Sequence, residues 1–163
     1  MKDIIQLERI QRRATKYIVP DLPYKSRLIK LNLLPLMYWL ELQDLYFFIK
    51  CIKDPPDNFN ILDYVSFSTN NTRSASSNKL VPNFSYYRSS RHFYFNRIIR
   101  LWNKLPVNLF SMSDSLSSIK FKLYVYFESY FNANFNPDQV CTFHFICPCS
   151  RCKIGRASCR ERV

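Results

Sequence analysis

The stretch from residue 36 to 53, LMYWLELQDLYFFIKCIK, limits the fold more than any other. Read at 3.6 residues per turn, Leu36, Met37, Tyr38, Trp39, Leu40, Leu42, Leu45, Tyr46, Phe47, Phe48, Ile49 and Ile52 spread around nearly the whole circumference. A helix without a solvent face belongs in the middle of a bundle, with other helices packed around it. The apolar run 33–52 is long enough to suggest a bilayer. It also carries Glu41, Gln43, Asp44 and Lys50, which are costly in lipid, so a protein core is the expected surrounding and no membrane partner is expected. Pro35 suits the first helical position, Pro55-Pro56 ends the element, and Cys51 reads as a small buried hydrophobe.

The rest of the chain supplies the neighbours. Residues 3–19 have helical spacing, with Ile4, Leu7, Ile10, Ala14, Tyr17 and Ile18 as the apolar stripe, and Pro20 and Pro23 as the stop. A short helix is expected over 24–31, ending near Asn32. A further helix follows within 88–106, and a final one is capped by Ser113 or Ser115, with Leu116, Ile119, Leu123, Tyr126, Phe127, Tyr130 and Phe131 as its core face. Residues 57–65 could hold one more short helix, 66–78 read as an exposed polar loop, and 79–87 suit a short extended segment. The chain has one glycine, Gly155, so every earlier turn must be made by Pro, Asn, Asp or Ser. The expected fold is mainly α: a small helical bundle over 1–131 with one or two short extended segments. A linker and Cys-rich tail follow over 132–153.

Charge points outward. The formal net charge is +12 on 163 residues, which calls for an anionic partner. Arg9, Arg12, Arg13 and Lys16 share one side of the first helix. Arg97, Arg100 and Lys104 share one side of the helix in RSSRHFYFNRIIRLWNKLP, opposite Phe95, Ile98, Ile99, Trp102 and Leu105. Just before it, Tyr86, Tyr87, Arg88 and Arg91 interleave rings with guanidinium groups, a composition that suits phosphate contact and base stacking. Taken alone, such faces are usually just the solvated side of an amphipathic helix.

Catalytic groups are scarce. One glycine rules out a Gly-rich phosphate loop, Asp54 and Asp57 flank prolines as turn residues, and Glu41 with Asp44 reads as helix-pairing charge. The sharper chemical signal is Cys141, Cys147, Cys149 and Cys152, in the order C-x5-C-x-C-x2-C, with His144 inside the first gap as a fifth candidate ligand. Thiolates this close repel one another unless a cation holds them, and zinc takes four such ligands; free thiols and disulfides are the alternatives. The N-terminal sequence MKDIIQLERIQRR has no apolar signal core, so an intracellular location, in cytoplasm and nucleus, is expected and the sequons at Asn70 and Asn83 carry little weight. The terminal string IGRASCRERV, residues 154–163, resembles translated read-through of a sequencing-library adapter. Without it the basic residues fall from 24 to 21 and the acidic from 12 to 11, leaving +10.

Several stretches together resemble one family. They are LERIQRRATKYI at 7–18, SRLIKLNLLPLMYWLELQDLYFFIK at 26–50, YFNRIIRLWNKLP at 94–106, SLSSIKFKL at 115–123 and the CTF…C-x-C-x2-C ending at 141–152. They are similar to the region C-terminal to the polymerase domain in non-LTR, LINE- or jockey-type retrotransposon reverse transcriptases. The resemblance implies a piece of an RNA-directed DNA polymerase whose aromatic-x-Asp-Asp motif is absent here, so no catalysis is expected of the fragment. It implies a thumb-like helical region holding RNA, DNA or their hybrid, a C-terminal cysteine module that binds RNA or target DNA, and an upstream polymerase domain as partner. On that reading Met1 is a start inside a longer coding region. The alternatives are a helical protein-interaction scaffold whose basic faces meet acidic protein, or a decayed fragment with no function.

Overall fold

A computed structural model describes residues 2–68, 79–82 and 94–146. Among them are five α-helices, α1 (Lys2–Ile18), α2 (Tyr24–Lys30), α3 (Leu36–Lys53), α4 (Tyr94–Lys104) and α5 (Leu116–Asn134). A two-stranded antiparallel sheet joins β1 (Val65–Phe67) to β2 (Leu80–Pro82), with Ser66 opposite Val81. The protein is mainly helical, as the sequence implies. Its chain divides into two compact units, one of residues 1–41 and 125–163, the other of residues 42–124.

Among the described residues of the first unit the turns are made without glycine, and the geometry shows how. After α2, Asn32 takes the left-handed conformation at φ 52°. Asn32 N donates to Ile29 O at 3.1 Å and Leu33 N to Leu28 O at 2.9 Å, the two bonds of a Schellman cap. Asn is the residue other than glycine that most readily accepts this conformation. The core beneath is largely aromatic. Tyr38 meets Phe127 and Phe131 edge-on at 6.3 Å, and Phe135 packs on Phe131 at 5.1 Å and Phe143 at 5.5 Å. Residues 135–146, read from sequence as linker and cysteine segment, thus place Phe135, Phe143 and Phe145 in this core.

The orientation of α1 reverses the expected one. Leu7, Ile10, Tyr17 and Ile18 are 45%, 62%, 90% and 66% exposed, whereas Glu8 and Thr15 are buried. Hydrogen bonds account for the reversal. Glu8 Oε1 accepts from Tyr24 Oη at 2.5 Å, and its Oε2 accepts from Leu36 N, an open donor at the start of α3, at 3.1 Å. Gln11 Nε2 donates to Leu34 O at 3.0 Å. The helix docks by polar groups that complete the neighbouring backbone, and its apolar stripe is left outside.

In the second unit Leu42, Leu45, Phe48, Ile49, Ile61, Val65, Leu80, Phe95, Ile98, Leu101, Ile119 and Leu123 form the core. Cys51 is buried among them, as expected, and burial raises its thiol pKa. Asn103 on α4 ties down the sheet: its Oδ1 accepts from Leu80 N at 2.8 Å and its Nδ2 donates to Leu80 O at 3.0 Å. Tyr64 stacks flat on Phe95, with centroids 4.5 Å apart. The short helix expected near 57–65 is a 3-10 turn, Ile61–Asp63, capped by Asn60 Oδ1 on Leu62 N. Of the two candidate caps for α5, Ser115 serves: its Oγ accepts from Ser118 N at 3.2 Å.

Candidate nucleic-acid interface

The basic residues of α1 divide into two groups. Arg12 lies on the docked side: its Nη2 donates to Pro137 O at 2.7 Å, and its guanidinium sits 4.8 Å from the Tyr24 ring and 5.5 Å from the Phe143 ring. It works as a clamp within the first unit. Arg9, Arg13 and Lys16 are exposed, and among the described residues no carboxylate pairs with them. Their spacing of three and four places all three along one edge of the helix.

In the second unit α4 presents a different picture. Arg97 Nε contacts Asp44 Oδ2 at 2.6 Å, with the Arg97 side chain 39% exposed, and the guanidinium lies 5.8 Å from the Tyr94 ring. Tyr94 Oη donates to Asp44 O at 3.2 Å, fixing the same turn of α3. The helix-pairing role expected of Asp44 is thus visible, and its partner is one of the basic residues assigned to the interface. Arg100 is half-buried and Lys104 exposed. Tyr86, Tyr87, Arg88 and Arg91 lie outside the described residues.

The candidate metal ligands meet the structure at one point. Cys147, Cys149 and Cys152 lie outside the described residues, and Cys141 falls in the 3-10 turn Val140–Phe143. His144 is buried, with Nδ1 3.7 Å from Glu41 Oε1. Among the described residues no group of three or more His, Cys, Asp or Glu stands ready to hold a metal ion.

What sequence reasoning missed is the work of Glu41. This buried carboxylate on the core helix accepts from Phe145 N at 2.6 Å and from Ile146 N at 3.3 Å. Tyr38, one turn before it, donates from Oη to Thr142 O at 3.1 Å. Two polar groups of α3 therefore hold residues 142–146, while Phe127 and Tyr130 enclose the Phe145 ring at 4.5 and 4.7 Å. An acid in the middle of an apolar helix was the available signal, because such a charge needs a partner. Burial raises the Glu8 carboxyl above its ordinary range, against the lowering effect of its bonds from Tyr24 and Leu36.

No family model, curated protein or solved structure matches the chain. No helix among the described residues is long and apolar enough to cross a membrane.

Proposed function

We propose that the protein binds nucleic acid, RNA, DNA or an RNA–DNA hybrid, through the backbone phosphates, as an accessory part of a non-LTR retrotransposon reverse transcriptase. It is read as a fragment that lacks the catalytic aspartates and works beside an upstream polymerase domain. The observation that carries the reading is the edge of Arg9, Arg13 and Lys16. Three cations stand side by side on an ordered helix, and no carboxylate neutralises them among the described residues. A net charge of +12 adds a field of the same sign. Contacts of this kind position a polymer without reading its sequence, so binding is expected to be indifferent to base order. Arg100 and Lys104 are the second group we assign to phosphate. Arg97 contributes less, because Asp44 already holds it.

Zinc belongs to the same reading, held by Cys141, Cys147, Cys149 and Cys152, with His144 as an alternative ligand. Metal analysis of the purified chain should find one zinc per molecule. Four freely titrating thiols without zinc would remove the metal from the account.

The binding reading is tested by reversing three charges together, Arg9→Glu, Arg13→Glu and Lys16→Glu. Affinity for an RNA–DNA hybrid at low salt should drop at least tenfold, with the circular dichroism spectrum unchanged because all three side chains are exposed. Equal affinity in wild type and variant would refute it. Tighter binding of poly-glutamate than of hybrid would favour the protein-scaffold alternative.

A further inference from the structure

The apolar stripe on α1 has a geometry of its own. Leu7, Ile10, Ala14 and Tyr17 follow one another at intervals of three, four and three, and Ile18 continues the stripe at one end. All five are exposed. Intervals of three and four in alternation are the seam along which one helix receives another, each residue entering a gap between four of the partner. A solvated helix would carry polar residues here, and nucleic-acid binding gives such a stripe no task. The docked side of α1 is satisfied by Glu8, Gln11 and Arg12, so the stripe is not a misplaced core face.

We infer that this seam receives a helix of another protein, one with apolar residues at the same spacing and acidic residues along one edge. Charge selects among occupants. Arg13 flanks the seam directly, with Arg9 and Lys16 beyond it on the same side, and among the described residues none has an acidic partner. A helix bearing Glu or Asp on the facing edge would neutralise this row. A second copy of the chain would instead bring basic edges together, Arg13 against Arg13 in an antiparallel pair. A lipid surface fits less well, because helices lying in a bilayer carry a broad apolar face with cations on both flanks. Here the cations occupy one flank only, and the other is docked through Glu8 and Gln11. The inference goes beyond the proposed binding of nucleic acid and has a consequence for it. The acidic helix and the phosphate backbone would use the same three cations, so each would exclude the other.

The test uses the full chain and a labelled three-heptad peptide with Leu at the seam positions and Glu along the edges. A control peptide has the same composition in scrambled order. The seam peptide should bind, measured by fluorescence anisotropy, and should displace an RNA–DNA hybrid. The double variant Ile10→Ser, Tyr17→Ser should lose at least tenfold in peptide affinity while its hybrid affinity stays within twofold. That second measurement separates failure of this inference from failure of the nucleic-acid reading, and it also confirms that the variant is folded. Three results would overturn the inference. One is equal binding of the scrambled peptide. The second is a chain that sediments as a dimer dissociated by the double variant. The third is capture by phosphatidylserine vesicles abolished by the same variant.

Discussion

Glu41 offers the sharpest perturbation of the fold. Its side chain is 3% exposed and takes hydrogen bonds from two successive amides, Phe145 N at 2.6 Å and Ile146 N at 3.3 Å. Hydrogen bonds to a charged group contribute about 1.5–3 kcal/mol each, and a buried donor left without an acceptor costs about as much again as an ordinary bond is worth. The shorter bond belongs at the upper end of that range and the longer at the lower end. Glu41→Ala leaves both amides unmet and should destabilise the first unit by about 3–5 kcal/mol. Glu41→Gln keeps one oxygen for one amide, so the loss should be roughly half as large. Urea unfolding followed by circular dichroism gives the totals, and hydrogen exchange locates them. Both amides 145 and 146 should lose protection in Glu41→Ala and one of the two in Glu41→Gln, while amides in the middle of α4 keep theirs. Phe145→Ala provides a scale, since removing a buried Phe costs about 3–5 kcal/mol. Both Glu41 variants within about 0.5 kcal/mol of wild type, with those two amides still protected, would refute the reasoning.

Two further outcomes follow from the same contacts. Asn32 closes α2 at φ 52°, so Asn32→Gly should be neutral or stabilising by up to about 1 kcal/mol, whereas Asn32→Val should cost about 1–2 kcal/mol in a chemical melt. Glu8 titrates near 4.5 in the unfolded chain and higher in the fold, so the folded state holds the proton more tightly. That stabilisation is complete below 4.5 and is lost as pH rises through the folded value. Glutamine does not ionise, so as pH rises above 4.5 the unfolding free energy of wild type should fall relative to Glu8→Gln; a gap that is flat or moves the other way would contradict the burial argument.

The parts of the fold legible in the sequence were those fixed by local pattern. The apolar character of α3 implied a helix packed on every side; Tyr38, Leu42, Leu45, Phe48 and Ile49 are buried, but Trp39, Leu40 and Phe47 are 41%, 43% and 50% exposed, so one side of α3 faces solvent. The near absence of glycine implied Asn turns, and Asn32 and Asn58 are the described non-glycine residues at positive φ. The face of α1 was not legible, because periodicity shows which residues share a side but not which side docks. That choice was made by bonds from Glu8 and Gln11 to Tyr24, Leu36 and Leu34, between 16 and 28 residues away. Glu41 meets Phe145 across 104 residues, a pairing that no local window contains. The candidate interface shifted for a similar reason. Arg97 seemed as available as Arg13 in sequence, and only the packing of α4 beside α3 brought it to Asp44.

The central claim is that three side chains of α1 meet phosphate, and the salt dependence of binding tests it most directly. Each phosphate contact on duplex should contribute about −0.9 to the slope of log K against log salt. Titrating an RNA–DNA hybrid at several salt concentrations should therefore give a steep negative slope for the wild type. With Arg9, Arg13 and Lys16 each replaced by Ala the slope should be shallower by about 2.7, one contact's worth for each. Identical slopes for the two proteins would contradict the account.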